Sequence, residues 1–215
     1  MKLYGYFRSS AAYRVRIALG LKGLAYEYLA VHLRKGEQSG ESYRSLNPAQ
    51  LVPALVDDRG TLTQSLAIIE YLDERHPHPP LLPGPPEARA RIRAIALSIA
   101  CDIHPLDNLR VLKYLVKTLA ASEEAKDAWY RHWIDVGLSA LEEHLSRDRV
   151  TGEFCHGDAP TMADLCLVSH CAGYLIFKGT LDRHPTVRRI YERCMGDEHF
   201  ASAHPLRQPG APKGH

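Results

Sequence analysis

The sequence lacks any run of about 18 apolar residues, the length a helix needs to cross a bilayer, so no membrane partner is expected. Its start, "MKLYGYFRSS", lacks the apolar stretch of a signal peptide, and a cytoplasmic location is the expectation. Charge of one sign is also scarce. With 27 Lys and Arg against 25 Asp and Glu the formal charge is +2, and no long basic block occurs, so nucleic acid is set aside as a partner. The five cysteines are odd in number, form no C-x-x-C pair and mostly fall in helical patterns, which favours free thiols over a disulfide framework. Twelve histidines form no H-E-x-x-H or similar zinc motif, and no metal site is expected. Internal repeats and low-complexity segments are absent. What is present is ordinary: 215 residues, 45% hydrophobic and 24% charged, enough for a normal core in one large domain or two smaller ones.

The two halves differ in pattern. "MKLYGY" alternates Leu3 with aromatics as a short strand does, and from Ser10 onward Val15, Ala18 and Leu19 recur at helical spacing. "AYEYLAVHL" reads as a second strand, and "LNPAQLVPALVDDRGTLTQS" as two more joined by a turn at Asp58, Arg59 and Gly60. "SLAIIEYLDERHP" is helical, with Leu66, Ile69 and Leu72 or Asp73 on one side and Pro77 as its stop. This order suits a short mixed sheet with helices against it. Residues 76–86, "HPHPPLLPGPP", hold six prolines and one glycine and read as a linker. Beyond them Ile92, Ile95, Ile99 and Ile103, then Leu109, Leu112 and Val116, then Trp129, Trp133, Val136, Ala140 and Leu141 repeat at helical spacing. Pro105 should kink or break this pattern near His104. Thr161 followed by Asp164 resembles a capping box, and the tail "HPLRQPGAPKGH" looks extended and partly mobile.

The stretch "YFRSSAAYRVRIALGLKG" places Ser9 and Ser10 at a helix start. One serine suffices as an N-cap; a helix start with spare hydroxyl and amide donors is also an anion site, for phosphate, carboxylate or thiolate.

A small strand-helix-strand, strand-strand-helix domain, a proline-rich linker and an all-helical domain resemble the plan of the cytosolic glutathione transferases. "LVPALVDD" resembles the family's cis-proline segment, and "TQSLAIIEYL" its γ-glutamyl-binding segment. "YFRSSAAYRVRIALGLKG", "NPAQLVPAL", "QSLAIIEYL", "DIHPLDNLRVL", "GDAPTMADLCLV" and "HPLRQP" look like the zeta class, which includes maleylacetoacetate and maleylpyruvate isomerases. The resemblance implies an α/β thioredoxin-like N-terminal domain over residues 1–77, a Pro-rich linker over 78–86 and an all-α C-terminal domain over 87–215. It implies glutathione as cofactor, held by Ser9, Ser10, Gln38, Val52, Pro53, Gln64, Ser65, His104 and Asn108. Ser9, Ser10 and Arg8 are the implied catalytic residues, and Arg8 and Arg110 would clamp a small dicarboxylate substrate. The implied activity is cis-trans isomerisation of maleylacetoacetate to fumarylacetoacetate in tyrosine and phenylalanine breakdown. Maleylpyruvate isomerisation, conjugation of glutathione to small electrophiles and a non-catalytic glutathione-binding module are the alternatives, and a homodimer is expected. Two positions depart from the zeta pattern: Ala11 stands where Cys is usual, and Ile176 where an Arg often precedes Phe.

Simpler roles stand beside these. Arg14 and Arg16 are expected as surface or domain-interface charges, Tyr4 and Tyr6 as packing, and Trp129 and Trp133 as core. Cys101, Cys166 and Cys171 read as buried small apolar residues. Asp107, Arg110 and Tyr114 would share a polar face, on which Arg110 could merely pair with Asp107. Gln38 lies in "RKGEQSGES", read as a mobile loop.

Overall fold

The strand β1 (Lys2–Gly5) sits between a parallel neighbour, β2 (Glu27–Ala30), and an antiparallel one, β3 (Ala54–Asp57), whose hairpin partner β4 (Gly60–Thr63) completes the sheet order β2-β1-β3-β4. The parallel pair requires a crossover, supplied by α1 (Ser10–Leu21), which packs beside α3 (Ser65–Arg75). This computed structural model describes residues 1–212 and resolves into two compact units. The first comprises Met1–Pro83 together with the chain from Met195 on, and the second comprises Gly84–Cys194.

α1 is not an amphipathic surface helix. Every residue from Ala12 to Leu19 is buried, Arg14 and Arg16 included, each only 1% exposed. Of the two places expected for them, surface or domain interface, the surface fails, because α1 packs against α3 and the late helix α10 (Glu198–Ser202). The tail is accordingly not extended. Residues Pro205–Arg207 form a 3-10 turn, the Gln208 amide donates to the carbonyls of Ser202 and His204, and Ala211 packs on the cluster of Tyr6 and Phe7. Residues 213–215 of that tail lie outside the described residues. The stretch read as a mobile loop holds a 3-10 turn, Glu37–Ser39, and a short helix, α2 (Glu41–Leu46). In α3 the buried positions are Ser65, Ile68, Ile69 and Leu72, so Ile68 takes the inward place expected of Leu66. The linker is pinned at its start by Lys22, whose fully buried ammonium donates to Asp73 Oδ1 at 2.6 Å and to the carbonyls of His76 and Pro79. Asp73 also accepts from the Leu81 and Leu82 amides.

The second unit is helical, as its periodicity requires: α4 (Pro86–Leu97), α5 (His104–Asp107), α6 (Leu109–Lys117), α7 (Glu123–Arg147), α8 (Met162–Ile176) and α9 (Pro185–Met195). Pro105 breaks the pattern at the predicted place. Ser98–Ile103 widens into a π turn in which the His104 N–H reaches Ile99 O, five residues back, and the helix ends at Asn108, in extended conformation. Asp107 therefore ends a different helix from the one on which Arg110 and Tyr114 share a face at i, i+4; it lies instead 3.1 Å from His170 Nε2. α8 is the core helix. Its start is fixed by Asp164, which accepts from the N–H and hydroxyl of Thr161 and from the Cys155 amide, confirming the Thr161–Asp164 pairing. The buried face of α7 is Tyr130, Ile134, Leu138, Leu141 and Leu145, one residue round from the expected Trp129 and Trp133; Val136 is 48% exposed. Trp129 instead donates its indole N–H to Leu106 O. Cys166 and Cys171 are buried as expected, whereas Cys101, on the π turn, is exposed.

Candidate functional site

Sheet register brings the site residues of the first unit to one end. Gly5, the last residue of β1, pairs with Ala30 at the end of β2, so the turn into α1 and the chain carrying Gln38 leave the sheet together. β3 and β4 run so that Tyr4 faces Ala54 and Ala54 faces Thr63. Hence Val52-Pro53, which enter β3, and Gln64-Ser65, which leave β4, emerge at that same end.

At α1 the two serines divide the labour. Ser9 is the N-cap, its Oγ accepting from the Ala12 N–H at 3.1 Å, and its own N–H closes a turn onto Tyr6 O at 2.9 Å. An oxygen that accepts a cap bond still has its O–H to donate. Ser10 begins the helix, half-buried, and its hydroxyl takes no partner among the described residues. The amides of Ser10 and Ala11 are first-turn donors without intrahelical acceptors, at the positive end of a 12-residue helix. Arg8 is half-buried beside them. Burial pushes the Tyr6 phenol up, while the charges of Arg34 and Arg8 pull it down. Tyr6 packs edge-on against Phe7 and Tyr4 against Tyr43, in keeping with their reading as packing.

The other three segments each present unspent polar groups. Val52 is buried and precedes a cis proline, Pro53, and neither its N–H nor its C=O takes a backbone partner among the described residues. Its approach is fixed from the preceding residue, since the Tyr43 hydroxyl and the Asn47 amide both donate to Leu51 O. Gln64 holds φ at +67°, a value that costs a non-glycine residue energy, and caps α3 with no side-chain bond, leaving the amides of that first turn and the buried Ser65 open. Gln38 is half-buried with its Oε1 enclosed and without a hydrogen-bond partner among the described residues. Donor pairs at two helix starts, a free backbone N–H and C=O, and an enclosed amide oxygen fit a γ-glutamyl peptide with an anionic sulfur.

The second unit holds the remaining candidates. Asn108 caps α6, its Oδ1 accepting from the Arg110 N–H at 3.1 Å, so part of its presence is structural. His104 is half-buried with its ring 6.2 Å from that of His170, and Arg110 is exposed. Ile176 ends α8, half-buried. Sequence reasoning missed Arg16, whose Nε donates to Ala203 O at 3.0 Å and whose NH2 donates to Phe7 O, just before Arg8, at 3.3 Å. The available signal was its place among Tyr13, Val15, Ile17 and Leu19, on a helix with almost no polar face.

Family models for the glutathione S-transferase N-terminal domain and C-terminal domain match residues 3–80 and 109–202. The chain is 48% identical over 211 residues to a probable maleylacetoacetate isomerase of Vibrio cholerae, covering 97% of each chain. Among solved structures, a bacterial zeta-class maleylpyruvate isomerase superposes with a TM-score of 0.96 at 45% identity, over 99% of this chain and 100% of that one. A maleylacetoacetate isomerase from Methylobacterium extorquens AM1, solved with malonate and glutathione, gives 0.96 at 47% identity, over 99% and 100%. The fold is thus that of a thioredoxin-like unit followed by an all-helical one. The chain belongs to the glutathione S-transferase family, in the zeta-class group of maleylacetoacetate and maleylpyruvate isomerases.

Proposed function

We propose that this protein is a glutathione-dependent cis-trans isomerase that converts maleylacetoacetate to fumarylacetoacetate. The observation that carries the reading is the α1 start, where two hydroxyls and two open amides are left to donate to an anion although one serine would have capped the helix. Bound glutathione supplies a thiolate that adds reversibly to the cis double bond, so that rotation gives the trans product and glutathione is regenerated. Ser9 and Ser10 donate to the sulfur and hold its pKa below the ordinary thiol value of about 8.5. Val52 pairs its backbone with the cysteinyl part beside Pro53, Gln64 and Ser65 hold the γ-glutamyl carboxylate, and Gln38 reaches the peptide from its 3-10 turn. Arg8 clamps a substrate carboxylate, since a guanidinium matches that group in two-point geometry. From family resemblance His104 and Asn108 contact glutathione and Arg110 contacts the substrate. The Methylobacterium relative was solved with malonate, a small dicarboxylate, together with glutathione, which supports this substrate class.

The same site serves maleylpyruvate, which differs only in its acyl tail and remains the second reading, because relatives of both names align over nearly the whole chain. A homodimer is expected on family grounds. The groove of about 450 Å³ between α4 and α7, lined by Ile95, Ile103, Val136 and Leu141, gives a second copy an apolar surface to cover. The test follows loss of the enol absorbance of each substrate with catalytic glutathione and counts the free thiol that remains. Turnover beyond the glutathione present, with thiol conserved, is the expected result, and the faster substrate names the route. Stoichiometric thiol loss would make the protein a conjugating transferase, and binding without turnover a glutathione-binding module.

A further inference from the structure

We propose that Arg16 is a positioning residue for the Arg8, Ser9, Ser10 turn: its guanidinium bridges the Phe7 carbonyl to the Ala203 carbonyl, so that the C-terminal segment braces the start of α1. The inference rests on the isomerase reading for the importance of that turn. Arg16 is 1% exposed, and its hydrogen bonds among the described residues go to carbonyl oxygens and not to a carboxylate. A buried cation without a counter-ion is expensive, and an apolar side chain would pack the same space more cheaply. What the guanidinium provides and an apolar residue cannot is its fork. Nε donates to Ala203 O at 3.0 Å, NH2 to Phe7 O at 3.3 Å, and the group lies against the rings of Tyr13 and Tyr28.

Phe7 is the middle of the turn that Ser9 closes by donating to Tyr6 O, so fixing its carbonyl fixes the entry of both serines. The segment that Arg16 recruits is tied at several further points. The Tyr13 hydroxyl donates to Phe200 O at 2.9 Å, the His199 side chain lies alongside Gly20, at ordinary contact distance from where a Cβ there would stand, and Ala211 packs on Tyr6 and Phe7. The chain from α10 onward thus reaches from the far end of α1 back to the turn. Arg16 bonds both, to Ala203 O on that segment and to Phe7 O in the turn.

The test compares Arg16→Met and Arg16→Lys with the wild type by amide hydrogen exchange without glutathione, by ultraviolet titration of bound glutathione thiolate, and by kcat and KM. In R16M, exchange of the Ser9 and Ala12 amides, which are bonded to Tyr6 O and Ser9 Oγ, should quicken at least tenfold while α8 is unchanged, because the brace and not the fold is lost. The thiolate fraction of bound glutathione at pH 7 should fall about fivefold and kcat with it, while KM for glutathione stays within about threefold, since Gln64, Ser65 and Val52 are untouched. R16K keeps the charge but cannot span both carbonyls, and should be intermediate; it carries the test if R16M does not fold. Faster exchange confined to residues 197–212, with wild-type thiolate fraction and kcat, would overturn the proposal and leave Arg16 as an anchor of the tail. The exchange result needs no glutathione, whereas failure of the isomerase reading would show in the wild type itself as absent binding or turnover.

Discussion

Substitutions at Ser9 separate its two tasks. Its Oγ accepts the Ala12 N–H at 3.1 Å, so Ser9→Ala removes an N-cap worth about 1 kcal/mol, which lowers the melting temperature of a chain this size by roughly 2–4 °C. The same change removes a donor to the thiolate. A hydrogen bond to a charged group contributes about 1.5–3 kcal/mol, so kcat/KM should fall roughly ten- to a hundredfold, with the loss recovering at high pH as the sulfur ionises unaided. Ser9→Asp is the decisive variant. Aspartate caps as well as serine and suits the positive helix end, so the melting temperature should hold within about a degree. It offers no donor, however, and its charge opposes a thiolate, so turnover should fall below that of S9A. Ser9→Thr should keep both properties. Calorimetry and the enol-absorbance assay on the four proteins decide the matter. Wild-type turnover in S9D, or in an S9A that is merely less stable, would show that the Ser9 hydroxyl serves the helix alone.

Lys22→Met leaves the His76 and Pro79 carbonyls without their donor and Asp73 without its cation, and should cost about 3–5 kcal/mol in urea unfolding; a loss under about 1 kcal/mol would refute the pinning role. Burial, with Arg207 and Arg16 nearby, lowers the His204 pKa from 6.5, and its Nδ1 accepts the Leu206 N–H. A base depressed on folding stabilises fully above its unfolded pKa and loses that contribution as pH falls through the folded value. Acidification below about 6.5 should therefore speed hydrogen exchange in residues 200–212, an effect that His204→Asn abolishes. Thiol titration of the folded protein should find one fast cysteine, the exposed Cys101, because Cys155 is pushed well up by burial and Cys171 up to about 12; a second fast thiol would contradict the burial of the others.

The site was legible wherever chemistry is local in sequence. Two serines at a helix start were readable from local chemistry, whereas Val52-Pro53 and Gln64-Ser65 stood out only through resemblance to the family; the structure places all three segments at one sheet end. Pro105 and Thr161–Asp164 were readable for the same reason, since each acts within a few residues. What failed depended on distant partners. Arg14 and Arg16 look like surface residues until the chain's last segment is seen against α1, and no periodicity within residues 10–21 could reveal that cover. The one-residue rotation of α7 has a similar origin. Tryptophans suit a core by size, but tertiary packing turned Tyr130, Ile134 and Leu138 inward and set the Trp129 indole on a carbonyl of another helix. Cys101 is exposed because it stands two residues from both Ile99 and Ile103, on the side opposite their buried face.

Ala11 sharpens what the α1 start must do. The first unit contains no cysteine, the earliest in the chain being Cys101, so on the isomerase reading the thiolate held at that helix start is the one glutathione brings. The protein's task there reduces to recognition and pKa control, and both are backbone problems first. Recognition needs amides and carbonyls left unpaired at the ends of four-residue strands, where a slip of one residue would turn Tyr4 and Ala54 to the opposite faces and separate the segments. Control of the sulfur needs donors that do not move as charge develops, which is why the turn before Ser9 is closed by its own bond to Tyr6 and held from behind by Arg16. On this reading the second serine is explained by the first: Ser9 is partly committed to the helix, and Ser10, whose hydroxyl has no structural bond, is the donor left wholly for the ligand.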